Sequence, residues 1–192
     1  MPILSKNSQL VLGAILILLM AATRSHHFFS LDALPGASWA VFFLAGVYLR
    51  PAWVLYALLS LSWSIDFSEY LWGSGSTFCF SPAYGFLLPA YATLWLGGRW
   101  FARHYEYGIK GLTRLASAFF TSVVSCELFS SGGFYFLSGR FVNTSLAEFG
   151  ERFVRYFPSS LKAMAFYVSL ALVLHLALRL VAHRHSKARL TT

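Results

Sequence analysis

The stretch Ala37-Ser-Trp-Ala-Val-Phe-Phe-Leu-Ala-Gly-Val-Tyr-Leu49 runs into Arg50-Pro51 and then into Ala52-Trp-Val-Leu-Tyr-Ala-Leu-Leu-Ser-Leu-Ser-Trp-Ser-Ile65. Two uncharged apolar runs thus meet at one arginine and one proline. Proline opens a helix well, because its missing N–H is one that the first turn leaves unbonded anyway. The pair reads as two membrane helices joined by a tight hairpin. Sustained alternation of period two is absent, which argues against a transmembrane β-barrel.

Working outward, similar apolar blocks recur near 9–22, 83–98, 112–129 and 161–182, which with 37–49 and 52–65 makes six. Several fall short of the roughly 20 residues that a straight span requires. The whole chain has 192 residues, 57% of them hydrophobic and 11% charged, with a mean hydropathy of +0.61. A soluble domain of this length is about a quarter charged. Composition therefore excludes an ordinary soluble enzyme, a disordered chain and a nucleic-acid-binding domain. The expected fold is an all-α integral membrane protein, a six-helix bundle forming a single membrane domain over residues 1–192.

The net charge of +8 then bears on topology. The first block follows Lys6, but Met20-Ala-Ala-Thr-Arg24 offers no good small-x-small cleavage site, so it reads as a retained helix. An even number of spans puts both termini on one side. With a cytoplasmic N-terminus, Lys6, Arg50, Arg99, Arg103, Lys110, Arg114, Arg179, Arg184, Lys187 and Arg189 fall inside. Arg24, Arg140, Arg152, Arg155 and Lys162 fall outside, so cations favour the inner face as the positive-inside rule requires. Asp32, Asp66, Glu69, Glu127, Glu148 and Glu151 gather at or near the outer face. The His183-Arg184-His185 tail reads as a cytoplasmic anchor.

Three outer connections are long: Arg24 to Gly36, Ser64 to Pro82, and Ser130 to Ser160. The first carries His26, His27, Phe28, Phe29 and Asp32. Within the third, Ser145-Leu-Ala-Glu148 fits a capping box, and Leu146, Phe149, Phe153 and Phe157 recur at helical spacing up to Pro158. That predicts an additional amphipathic helix on the outer surface, ended by the proline. Aromatic walls with a few polar groups describe a small-molecule site, although tryptophan and tyrosine also gather at any membrane interface.

The two cysteines separate by context. Cys79 lies in a Gly/Ser/aromatic loop three residues before Pro82, away from any helix-packing position. Ala118, Ser122 and Cys126 fall four apart, the small-residue face of a membrane helix contact. A disulfide between the two is the minor alternative. A thiolate is a strong ligand for a soft transition metal. One cysteine cannot hold a bare ion, but it can be the axial ligand of a macrocycle that brings its own four nitrogens. Among macrocycles a corrin adds a rim of amides, which Ser68, Ser74, Ser76, Thr77 and Ser81 could bond. Bis-histidine haem is the competing idea, but His27 and His175 lie toward opposite ends and His104 sits in a polar loop. Asp66 and Glu69 form a candidate acid pair with no accompanying Ser/His/Asp set, zinc motif or P-loop. Any energy coupling must therefore come from a partner.

Six short helices, the His26-His-Phe-Phe29 segment and Ser76-Thr-Phe-Cys-Phe-Ser-Pro82, with Asp66 upstream and Tyr84 downstream, resemble the BtuM family over nearly the whole chain. These are cobalamin-transporting relatives of the S-components of energy-coupling-factor transporters. The resemblance implies a bacterial inner-membrane cobalamin binder in which Cys79 ligates the corrin cobalt. His27, Asp66, Tyr84 and Arg152 would line or brace the site. Ligation by Cys79 would further allow it to remove cyanide from cyanocobalamin. Many S-components carry Ala-x-x-x-Ala on helix one for docking a coupling subunit. Here Ala14 is followed by Leu18, and Ala21 and Ala22 are adjacent, so an energy-coupling ATPase module and solitary action both stay open. The alternative class is a membrane redox protein or enzyme using Cys79 as nucleophile or disulfide partner, and a third is a purely structural subunit.

Overall fold

A computed structural model describes residues 5–24, 35–71 and 81–190, with the backbone alone for Glu69 and 182–190. Among them all regular structure is helical: α1 (Lys6–Arg24), α2 (Ser38–Tyr48), α3 (Trp53–Leu71), a 3-10 turn (Pro82–Phe86), α4 (Leu87–Arg103), α5 (Ile109–Leu137) and α6 (Leu146–Leu190). Three helices are long and apolar enough to cross a membrane: α1, α5 and the Leu146–Val181 part of α6. Many of their large apolar side chains face outward. Leu10 and Leu18 of α1 and Leu178 of α6 are about 70% exposed, a pattern that suits lipid and not water.

The shortest α-helix lies at the centre. All residues from Ala40 to Val47 of α2 are buried, and α1, α3, α4 and α6 pack around it. At 1.5 Å per residue α2 reaches only about 16 Å, roughly half the hydrocarbon thickness. It is apolar on every side because it has a neighbour on every side.

Adjacent glycines let α4 pack closely on two helices at once. A methyl group on Gly98 would lie 2.1 Å from the Phe43 carbonyl oxygen of α2, and one on Gly46 would lie 2.2 Å from the Trp95 carbonyl oxygen. Gly97 points the other way, where a methyl group would lie 1.8 Å from Ser122 Oγ of α5. Ala118, Ser122 and Cys126 are buried on that face of α5, as their spacing suggests.

Three expectations need correction. Helix α3 continues beyond 65 to Leu71, so Asp66 stands on a helix and not in a loop. The Trp63 and Phe67 rings stack at 5.0 Å one turn apart, and Ser68 Oγ donates to the Ile65 carbonyl at 2.7 Å, which holds that extension together. Helix α5 runs on through Ser130-Ser-Gly-Gly133 to Leu137. Helical glycine costs about 1 kcal/mol in isolation, but here Gly133 seats the Phe86 side chain, where a methyl group would approach its Cβ to 2.6 Å.

The third correction concerns Pro158, which does not end a helix: α6 passes through it unbroken, so the amphipathic segment and the last span are one element. Proline removes the bond to the Val154 carbonyl, but packing on both sides compensates. Phe153 and Phe157 stack at 4.9 Å before the proline, and Phe157 and Leu161 pack against the core on either side of it. The 45-residue α6 is about 68 Å long, so it extends beyond any bilayer it crosses.

Candidate ligand site

Asp66 sits on α3 among Trp63, Ile65 and Phe67, where a lone carboxylate would be costly. Arg24, the last residue of α1, meets it in fork geometry. Nε donates to Oδ1 and Nη2 to Oδ2, both at 2.6 Å, and the side chains are only 12% and 18% exposed. Arg24 Nη1 also donates to the Tyr91 hydroxyl at 2.8 Å and to Ser38 Oγ at 3.1 Å. The Tyr84 hydroxyl donates to Asp66 Oδ2 at 2.7 Å. Tyr91 is fixed in turn by stacking on Phe42 of α2, rings 4.4 Å apart and nearly parallel. One network therefore joins α1, α2, α3, the 3-10 turn and α4 at a single end of the bundle.

That network grips the roots of two segments. Arg24 immediately precedes residues 25–34, and the far root is tied by the Tyr167 hydroxyl donating to the Pro35 carbonyl at 2.6 Å. The Ala37 N–H also donates to Thr23 Oγ1 at 3.1 Å. Asp66 and Tyr84 stand on either side of residues 72–80. His27 and Cys79 lie in these two segments, outside the described residues.

Two cavities flank the network and share Tyr91. One, about 630 Å³, is lined by Arg24, Ser38, Trp39, Tyr91, Lys162 and Phe166 among others. The other, about 550 Å³, opens between α3 and α4 beside Tyr56, Ser60, Trp63, Ser64 and Tyr84. Both have the size and the mixed aromatic and hydroxyl lining of small-molecule sites.

Of the residues singled out from sequence, Asp66 and Tyr84 are brought into contact. Arg152 belongs to a second knot, near the 3-10 turn at the junction of α5 and α6. Its guanidinium lies 4.6 Å from the Phe141 ring and 5.7 Å from those of Tyr135 and Tyr156. Tyr135, 2% exposed, accepts from the Ser145 N–H at 3.0 Å and donates to Glu148 at 2.9 Å. Half of the expected capping box is direct, Glu148 N–H to Ser145 Oγ at 3.2 Å, and the Tyr135 hydroxyl bridges the other half.

Arg24, Ser38 and Tyr91 were not anticipated as a unit. The available signal was a carboxylate inside an apolar run, which in a membrane calls for a cation. Cys126 is a free thiol, fully buried in α5. The two histidines whose side chains are described take separate partners: His104 Nδ1 is 2.9 Å from the Trp100 carbonyl oxygen, and His175 Nδ1 is 3.4 Å from the Tyr48 hydroxyl. Among the described residues no three His, Cys, Asp or Glu side chains gather into a metal site. Compared with known proteins, the chain matches no protein-family model and none of the curated proteins.

Proposed function

We propose that this protein is a membrane binder and importer of a corrinoid such as cobalamin, taken up at the end of the bundle where Arg24, Asp66 and Tyr84 meet. All six α-helices then belong to the membrane bundle, α2 covering about half of the bilayer's depth inside a sheath of its neighbours, with its flanking residues completing the passage. In this reading the opposite end, with both termini, faces the cytoplasm of a bacterial inner membrane, which the excess of arginine and lysine at that end supports. The observation that carries the reading is the 2.7 Å contact between Tyr84 and Asp66 within the Arg24 network. These are residues that the family resemblance implicates, and their network secures the roots of the segments holding His27 and Cys79.

In this reading Cys79 sulfur, as thiolate, takes an axial position on the cobalt, since coordination removes the thiol proton outright. Where cyanide held that position, the step is a ligand exchange. A Co–S bond forms, the Co–C bond breaks, cyanide leaves with its electron pair, and cobalt stays in the +3 state. His27 and Arg152 line or brace the site, while Asp66 and Tyr84 hold its base. Transport runs through an energy-coupling ATPase partner or through this chain alone.

The test is the visible spectrum of protein purified after growth with cobalamin. Corrin bands on the purified protein are expected. A colourless protein that neither binds added corrinoid nor supports its uptake would overturn the proposal and return Cys79 to the redox or nucleophile class.

A further inference from the structure

At the other end of the bundle, α6 presents His175 and Arg179 one turn apart on one face. Tyr48 of α2 and Tyr105 and Tyr107 of the α4–α5 connection surround them. The Tyr48 hydroxyl lies 3.4 Å from His175 Nδ1, and the Tyr105 ring packs edge-on to the imidazole at 6.3 Å. Arg179 Nη1 donates to the Tyr107 hydroxyl, and the guanidinium lies 5.3 Å from that ring. Two atoms of this cluster, His175 Nε2 and Arg179 Nη2, are buried and meet no hydrogen-bonding partner among the described residues. Arg179 Nη2 is a donor in every state, and His175 Nε2 is one in the tautomer whose Nδ1 accepts from the Tyr48 hydroxyl.

A buried polar atom without a partner is costly, and native proteins seldom leave such groups unanswered. Arg179 also has no carboxylate partner among the described side chains. The nearest acidic residue in the adjoining connection, Glu106, is paired with Arg114 at 2.8 Å. The cluster therefore asks for an acceptor that carries negative charge.

We propose that His175 and Arg179 hold a phosphate-type oxyanion, namely the headgroup of an anionic phospholipid. The surroundings favour a lipid source. Leu174, Leu178 and Val181 on α6 and Ile109 at the start of α5 are more than half exposed, so the cluster lies beside an apolar surface along which acyl chains can lie. Tyr107, 70% exposed, marks the interface depth at which a headgroup phosphate sits. Arg50 and Lys110 lie exposed at the same end and add to the local positive potential. Arg179 Nη2, with Nη1 held on Tyr107, is the donor left for a phosphate oxygen, and His175 Nε2 suits a second contact in its protonated form.

The experiment titrates the full-length protein in neutral detergent with short-chain phosphatidylglycerol, chain-matched phosphatidylcholine and inorganic phosphate. Saturable binding of phosphatidylglycerol in preference to phosphatidylcholine is expected. Arg179→Gln should weaken it about tenfold, a typical effect of losing one charge-assisted hydrogen bond. Lys110→Gln, an exposed cation at the same end, should stay near wild type. Arg179→Lys keeps charge and length and guards against loss of the fold; it should retain the preference at intermediate affinity. Inorganic phosphate binding as well as the lipid, and equally lost in Arg179→Gln, would support the oxyanion site with a soluble source. Equal affinity for phosphatidylcholine, no saturable binding of either anion, or an Arg179→Gln protein that binds as wild type would overturn the proposal.

Discussion

Arg24 and Arg152 are two partly buried cations held in opposite ways. Arg24 is locked by hydrogen bonds, with a carboxylate fork, a tyrosine and a serine drawn from three other helices. Arg152 rests against the faces of Phe141, Tyr135 and Tyr156, all close in the chain at the α5–α6 junction. The first arrangement fixes distance and direction and fails abruptly when one member is lost. The second is set by ring quadrupoles, with shallow angular preference, and yields gradually. On the proposed corrinoid reading, a rigid base and a compliant flank suit a bulky ligand.

Breaking the lock should give the largest effect. Asp66→Ala strands the Arg24 guanidinium in a partly buried site and is expected to cost about 3–5 kcal/mol, read as a fall in thermal unfolding temperature in detergent. Arg24→Gln combined with Asp66→Asn should cost clearly less than the sum of the two single changes, because no unpaired charge remains. Additive losses would mean that the pair is not coupled. Gly98→Ala attacks the same lock indirectly. The added methyl group must push the Phe43 carbonyl away, prising α2 from α4 and separating Ser38 from Tyr91, at about 1–3 kcal/mol.

Turning to the compliant flank, Tyr135→Phe removes the hydroxyl that serves both Ser145 and Glu148. It should cost about 1–2 kcal/mol, and amide exchange should quicken at the first turn of α6. Arg152→Gln should be mildest, about 0.5–1 kcal/mol, the scale of a cation over aromatic rings. If Arg152→Gln proved as damaging as Asp66→Ala, the contrast between the two arginines would be wrong.

Helix positions were legible because apolar blocks and small-residue spacing are local signals. Ala118, Ser122 and Cys126 announce a contact face wherever their partner lies. The capping serine at 145 was legible for the same reason. Pro158 misled because its local effect is to break a helix, whereas the stacked Phe153 and Phe157 and the buried turns beyond them decide the outcome. The 64–71 stretch misled similarly: its serines and acids look like a loop until Arg24 neutralises Asp66. That pairing spans 42 residues of sequence. Nothing in either neighbourhood names the other, and only the crossing of α1, α2, α3 and α4 brings them together. Asp66 and Tyr84 could be singled out as candidates from sequence, but not the arginine between α1 and α3 that organises them.

The central claim is that a corrinoid is held with its cobalt on Cys79, and the most direct measurement is the visible spectrum of the protein incubated with cyanocobalamin, recorded for wild type, Cys79→Ser and Cys126→Ser. A thiolate-type spectrum with release of cyanide is expected for wild type and for Cys126→Ser, whose thiol is buried in the α4–α5 contact. It should be lost in Cys79→Ser. Wild-type spectrum and cyanide release persisting in Cys79→Ser would contradict sulfur ligation at that position.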